Sequence, residues 1–306
     1  ADAKDQSAYG AAGGIMGTLA GALTALLFLI FVFFLCRPHL LRQLRQDRCG
    51  ETETTADILK ALGVTVIPVI LSQSGHTEMV YNDFFVGEGA DITIVAGCGI
   101  HNSGDKKSEH DGIHRFHIGK NARIKYVEKH YGEGTGTGEN VLNPVTEIFM
   151  DENSYCEMEM VQIEGVDSTK RNTIAKLESG AHLLILEKLM THDNQVAHSD
   201  MTIELNGVDA SSQIISRSVA KDNSEQVFYP KAVGNAKCRA HVQCDSIIMG
   251  NAHIRSIPEI AANHCDANIV HEAAIGKINN DQLLKLQTLG KTEEEAEEII
   301  INCFLR

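Results

Sequence analysis

The chain of 306 residues is 43% hydrophobic with a formal net charge of -14, enough apolar material for one large domain or two small ones and too much for a disordered ground state. The charge is uneven: residues 1–49 hold five Lys/Arg against three Asp/Glu and the remainder 22 against 38, an acidic body that argues against nucleic acid as the main partner. Cysteines at 36, 49, 98, 156, 238, 244, 265 and 303 form no CxxC pair, which points to free thiols in a reducing compartment.

The first element in chain order is an uncharged run between Asp5 and Arg37, continuously apolar from Leu26 to Cys36. It exceeds the ~20 residues that a bilayer-crossing helix needs, so residues 1–49 read as a transmembrane anchor, with the span over 8–36, and a basic juxtamembrane segment. Arg37, Arg42, Arg45 and Arg48 follow it, which by the positive-inside rule places the rest of the chain in the cytoplasm. Gly13, Gly17 and Gly21 stand four apart, a spacing that lets membrane helices approach closely and that also fits a merely small-residue stretch.

From Val64 the pattern changes to period-two strands separated by Gly, Asn and Asp turns, as in Met201, Ile203 and Leu205 on one face. A turn-Ala-strand unit recurs at Ala90, Ala122, Ser154, Ala181, Ala210, Ala236, Ala252 and Ala267. Steps that cluster near one value and near half of it are what stacked coils produce. The expected fold is a mostly β parallel β-helix over residues 50–278. A two-sheet sandwich would need tight hairpin turns, for which only Asn206-Gly207 and Asp111-Gly112 offer sequences, and both serve equally well as coil turns.

After Ile278 the strand pattern stops. Asn280 can cap a helix ending near Gly290, and Thr292 with Glu295 forms a capping box for a second helix to about Phe304. Ala296, Ile299, Ile300 and Cys303 form its apolar stripe. Residues 279–306 are therefore expected as a C-terminal α-helical pair. No GxxxxGK[ST] occurs, so nucleotide hydrolysis would have to come from another chain. Gly132 to Gly138, reading GEGTGTG, lacks a following helix and carries Glu133 within it and Glu139 after it; it reads as a coil-to-coil loop rather than a phosphate cradle.

The richest chemistry lies between Gln243 and Ile278. Cys244, His271 and Glu272 bring a thiolate, an imidazole and a carboxylate into one short segment, a donor set suited to iron or zinc. His271 and Glu272 are adjacent on a strand and point to opposite faces. A competing set is Cys98 with His101, His110, His114 and His117, whose spacings a zinc site could use, although His114 and His117 fall on opposite faces if they lie on a strand.

The run Gln243-Cys244-Asp245-Ser246, the Gly250-Asn251 turn, Ile257-Pro258 and His271-Glu272-Ala273, followed by Gln282-Leu283 in a helix, resembles the SufB/SufD family of iron-sulfur cluster assembly proteins. The likeness extends upstream through Ser216–Ala220 and Gly234–Cys238 and covers roughly residues 64–306; Glu after His271 brings it nearer to SufB. The resemblance implies a right-handed β-helix and a scaffold that is not itself an enzyme, holding a transient iron-sulfur cluster. It also implies a SufC-type ATPase docked on the helical tail, a sulfur donor, and pairing with a SufD-like subunit or a second copy. It assigns Cys244, with His271 or Glu272, to the nascent cluster and Cys98, in Val-Ala-Gly-Cys-Gly, to sulfur acceptance as a persulfide. A membrane anchor departs from the family, so residues 1–49 stand as a tether, a fusion or a mis-assigned start. A Lys expected after Val-Thr in the sulfur route is Glu147 here. Two other readings stay open: a metal-dependent enzyme built on Cys98, His101 and the His110–His117 group, and a binding module in which every Cys is structural.

Overall fold

The computed structural model describes residues 63–306. Nearly all of this is a parallel β-solenoid of about seven turns built from two facing sheets. One sheet orders β1 (Val64–Leu71), β3 (Asp91–His101), β5 (Arg123–Glu133), β8 (Tyr155–Glu164), β10 (His182–Thr191), β12 (Ser211–Ala220), β14 (Arg239–Ile248) and β17 (Asn268–Gly276). The other stacks β2 (Thr77–Val86), β4 (Ser108–Ile118), β6 (Asn140–Leu142) with β7 (Val145–Met150), β9 (Ser168–Leu177), β11 (Val196–Leu205), β13 (Glu225–Gly234) and β15 (His253–Ser256) with β16 (Glu259–Ala262). Every pairing is parallel, which rules out the hairpin-built sandwich. Pro144 and Pro258 fall in the breaks between β6 and β7 and between β15 and β16, where the missing N–H cannot serve the ladder.

Equivalent positions lie 32 residues apart in the early coils and 27 to 29 in the later ones. The recurring Ala sits at the corner before each strand of the first sheet, closed by a backbone bond from its N–H to the carbonyl three residues earlier, as in Ala122 to Gly119 and Ala181 to Glu178. The residue before it is Gly89, Asn121, Asn153, Gly180 or Asp209, each at φ between 57° and 69°, a conformation open to Gly and tolerated by Asn and Asp. Ala122 and Ala181 are fully buried, since the corner has room for one methyl group. Two details of the sequence reading change. Cys238, not Ala236, precedes β14 on this rung, and Ala252 precedes β15 in the opposite sheet, which is why the last intervals are halved. Asp111-Gly112 lies inside β4 and turns nothing.

Helix α1 (Asn280–Thr288) is capped by Asn279 rather than Asn280, and α2 (Glu293–Phe304) opens with the Thr292–Glu295 capping box. Helix α2 packs Ile301 and the adjoining Leu305 against Val219, with Met190, Ile247, Met249 and Ile278 around them. It therefore lies along the flank of three successive coils. Its buried stripe runs through Ala296 and Ile301, while Cys303 is exposed, a shift of the face expected from sequence. Helix α1 buries no residue and leaves Leu284 and Leu289 open. Among the described residues no helix is long and apolar enough to cross a membrane. The anchor expected over 8–36 lies outside the described residues.

Candidate functional site

Strand alternation gives every coil an inward row of side chains, and parallel register stacks those rows into continuous lines. One line of the first sheet reads Tyr126, Met158, Ile185, Ile214, Val242 and His271. The next reads Glu128, Met160, Glu187, Ser216, Cys244 and Ala273, and its neighbour begins Cys98, His130 and Gln162. The interior thus has an apolar half, filled by residues such as Phe116, Tyr126, Met158 and Leu183 together with Cys156 and Cys238, and a polar half that runs between Cys98 and Cys244 through Glu128, His130, Arg171, Glu187 and Ser216.

At the last coils, Val242 pairs with His271 across β14 and β17, so His271 sits diagonally from Cys244 on the inward face. The Cys244 Sγ and His271 Nε2 are 3.3 Å apart. Burial pushes the thiol up to about 11, against a smaller pull from the nearby Ser256 hydroxyl, which lines the same cavity. Burial also moves His271 downward, toward the neutral form that ligates metals. Glu272 faces outward and meets His241 Nε2 at 3.1 Å, so Cys244 and Glu272 do not share a site within one chain. A cavity of about 20 Å³ bordered by Glu187, Ser199, Ser216, Ser246 and Cys244 lies behind the thiol, room for roughly one water-sized guest.

Cys98 is buried at the other end of the polar half, its thiol pushed up to about 12 by burial and then by Glu128 and Glu78. Of the histidines grouped with it in the sequence, His110 and His114 point inward from β4, His117 stacks outside between Phe85 and Phe149, and His101 is exposed beside Glu133. The alternative zinc set left open by spacing is therefore narrowed: Cys98 comes together with His114 and Glu128, all buried, and with neither His101 nor His117. Glu128 was not foreseen. Burial alone would raise its pKa, yet His130, His114 and Arg171 hold it well below the usual carboxylate range.

Between the two cysteines runs a line of buried polar groups. His130 Nδ1 lies 3.3 Å from Arg171, whose guanidinium donates to Glu187 at 3.1 Å. The Glu187 carboxylate accepts from Ser199 at 2.7 Å and Ser216 at 2.8 Å, and Ser216 neighbours Cys244 in register. Five strand spacings separate Cys98 from Cys244, roughly 24 Å. Glu147 lies outside this line, bonded to Arg115 at 2.6 Å on the outer surface; among the described residues the buried basic side chain is Arg171. Sequence reasoning missed Glu128, His130, Arg171 and Glu187, although period-two counting from Tyr126 puts both Glu128 and His130 inward.

The glycines of residues 132–138 have a structural reason. A Cβ at Gly134, Gly136 or Gly138 would strike the backbone of Asn102, Gly104 or Lys106 in the preceding coil. They let one loop lie directly on another.

Residues 70–304 match the family model described as SUF system FeS cluster assembly, SufBD core domain. An iron-sulfur cluster assembly SufBD family protein of Methanocaldococcus jannaschii is 30% identical over 235 residues, 76% of this chain and 72% of that protein. Proteins with the same family description from Pyrococcus horikoshii and Archaeoglobus fulgidus are each 25% identical, over 77% and 74% of this chain and 71% and 60% of their own length.

Proposed function

Since the chain belongs to the SufB/SufD family of the SUF iron-sulfur cluster assembly system, we propose that it is a scaffold on which a nascent cluster is built at Cys244 and His271. The observation that carries this is the 3.3 Å approach of a thiol and an imidazole on the last two strands of the first sheet. These are soft and borderline donors, and they sit beside β17, the edge strand of the first sheet among the described residues. One chain offers too few ligands for a cluster, which commonly takes about four. A second copy or a SufD-like partner meeting the exposed Val270, Ile275 and Ile260 would supply the rest, and outward-facing Glu272 is placed to serve that joint site.

Sulfur enters at Cys98 in this reading. The Cys98 proton passes to His114, the Cys98 thiolate attacks the terminal sulfur of a donor persulfide, the donor S–S bond breaks, and the donor leaves as a thiolate that regains the proton from His114. Onward transfer breaks the S–S bond of the Cys98 persulfide as an acceptor thiolate takes its outer sulfur and Cys98 leaves as thiolate, and the polar side of the interior through Arg171, Glu187 and Ser216 is a less costly setting for such charged groups than the apolar half. A SufC-type ATPase docks on α1 and its end through Leu284 and Leu289, which are exposed among the described residues.

Anaerobic reconstitution tests the assignment. With Fe²⁺ and free sulfide, Cys244→Ser should lose the cluster chromophore while Cys98→Ser keeps it; with a persulfide donor as the sulfur source, both should lose it. Full cluster yield from Cys244→Ser would remove that residue from the site, and equal loss by Cys98→Ser under both conditions would make its role structural.

A further inference from the structure

The reading above uses Cys98 only as a sulfur acceptor and gives Glu128 no task. Yet Cys98, His114 and Glu128, brought together from β3, β4 and β5, each offer a donor atom within 4.8 Å of the other two. The Nε2 atoms of His114 and His130 converge on the same Glu128 oxygen at 3.6 and 3.4 Å, and Tyr126 donates to it at 2.9 Å. Glu128 Oε2 and His110 Nε2 are both buried with no hydrogen-bond partner among the described residues. A buried carboxylate with an unmet oxygen is costly unless a positive charge approaches it. Arg171 is committed to Glu187 and reaches this cluster only through His130 Nδ1, and Glu78 spends its charge on His110 Nδ1 at 3.1 Å.

Space is reserved here as well. A Cβ at Gly112 would stand 2.6 Å from His114 Nε2, so glycine keeps that nitrogen accessible from its own strand. His114 Nδ1 is held by the Asn82 amide at 3.1 Å. A flip of that amide would present its carbonyl oxygen to Nδ1–H, the outer partner that a metal-bound imidazole commonly has.

The geometry points to a second metal site, inside the early coils and separate from Cys244, in which Cys98, His114 and Glu128 hold one Zn²⁺ or Fe²⁺ ion with His130 placed for the fourth position. A thiolate, a carboxylate and a dication sum to zero charge, as a dry interior requires. The mix of sulfur, imidazole nitrogen and carboxylate oxygen suits ions of borderline softness rather than Mg²⁺ or Ca²⁺. The inference does not depend on the cluster-assembly reading. It does bear on it, because a metal-bound Cys98 cannot accept sulfur until the ion leaves.

The test is anaerobic titration of the metal-free full chain with Co²⁺, read by the sulfur-to-cobalt charge-transfer band and the d–d bands of a four-coordinate site, with bound Zn²⁺ counted by elemental analysis. Because His264, Cys265 and Asp266 form an exposed trio, every protein carries Cys265→Ala. This background and its Cys244→Ala derivative should each bind one Co²⁺ with the thiolate band. Cys98→Ala should lose the band, with affinity down by more than about 100-fold, beyond the usual effect of an outer-shell change. Glu128→Gln should keep the band but shift the d–d pattern, which covers the case in which Cys98→Ala folds poorly. A chain that takes up no stoichiometric metal overturns the site, as does a thiolate band that survives Cys98→Ala or disappears with Cys244→Ala. Failure of cluster reconstitution in the Cys244→Ala protein that still binds Co²⁺ would leave this site standing.

Discussion

Replacing Arg171 with Met tests how the polar half of the interior is held. Arg171 and Glu187 are only 3% and 2% exposed and their pair is 3.1 Å long. Without the guanidinium, Glu187 keeps only the hydroxyls of Ser199 and Ser216, and stripping one partner from a buried ion pair costs roughly 3–5 kcal/mol. For a domain of this size each kcal/mol moves Tm by about 2–4 °C, so Arg171→Met should melt roughly 6–20 °C lower. The double variant Arg171→Met/Glu187→Gln removes both charges and keeps an acceptor for the serines. It should recover about half of that loss, because the uncompensated charge has gone. Thermal melts followed by circular dichroism give all the values. A single variant that melts within ~2 °C of the parent, or a double that is additive, would show that the pair does not neutralise a desolvated charge.

Native alkylation followed by mass mapping should label Cys265 and Cys303 readily and spare Cys98, Cys156 and Cys244, all buried. A rise from 9.0 to about 11 at Cys244 leaves it with about a hundredfold less thiolate than an ordinary cysteine. Rapid labelling of Cys244 in the folded chain would contradict its placement. His182, whose pKa burial lowers, stacks on Tyr155 and meets Ser211 Oγ at 2.7 Å. Its folded value lies below the unfolded one near 6.5, so its stabilisation is complete above about pH 6.5 and is lost as pH falls through the folded value. Urea midpoints between pH 7.5 and 5.5 should therefore fall less steeply in His182→Gln than in the parent, and parallel slopes would refute the assignment. Leu284→Asp with Leu289→Asp should change stability by no more than ~0.5 kcal/mol yet abolish ATPase capture on a sensor surface, whereas Ile301→Ala should cost ~2–5 kcal/mol. Undiminished capture by the first variant would exclude α1 as the dock.

Much of the architecture could be read from the corners rather than the strands. The residue pairs Asn121-Ala122, Gly180-Ala181 and Asp209-Ala210 each combine a left-handed position with a methyl-sized one, and that requirement survives in sequence because few residues meet it. Ala236 was miscounted because Gly234-Asn235-Ala236 imitates the same pair two residues before Cys238 takes the rung. Helix α2 was placed through its capping box, but its buried stripe turned by about one residue, since the flank it meets is made of Met190, Val219 and Ile247 from three different coils. At the Cys244 end, opposite facing of His271 and Glu272 followed from alternation alone. The Cys98 end was harder. Its partners come from both sheets and from two successive coils, so the ordering of His101, His110, His114 and His117 along the chain is no guide to which of them meet.

A solenoid also fixes lengths in steps. The separation of Cys98 from Cys244 is a whole number of strand spacings, each about 4.8 Å, whatever the number of residues used to go round. The early circuits take 32 residues and a later one takes 28, and the difference is absorbed in corner loops such as 132–139 without altering the rise. Lengthening or trimming such a loop reshapes the outer surface and leaves the distance between the two thiols untouched. Deleting one complete circuit would shorten it by a single rung, making the body of the protein a graduated spacer whose divisions are its coils.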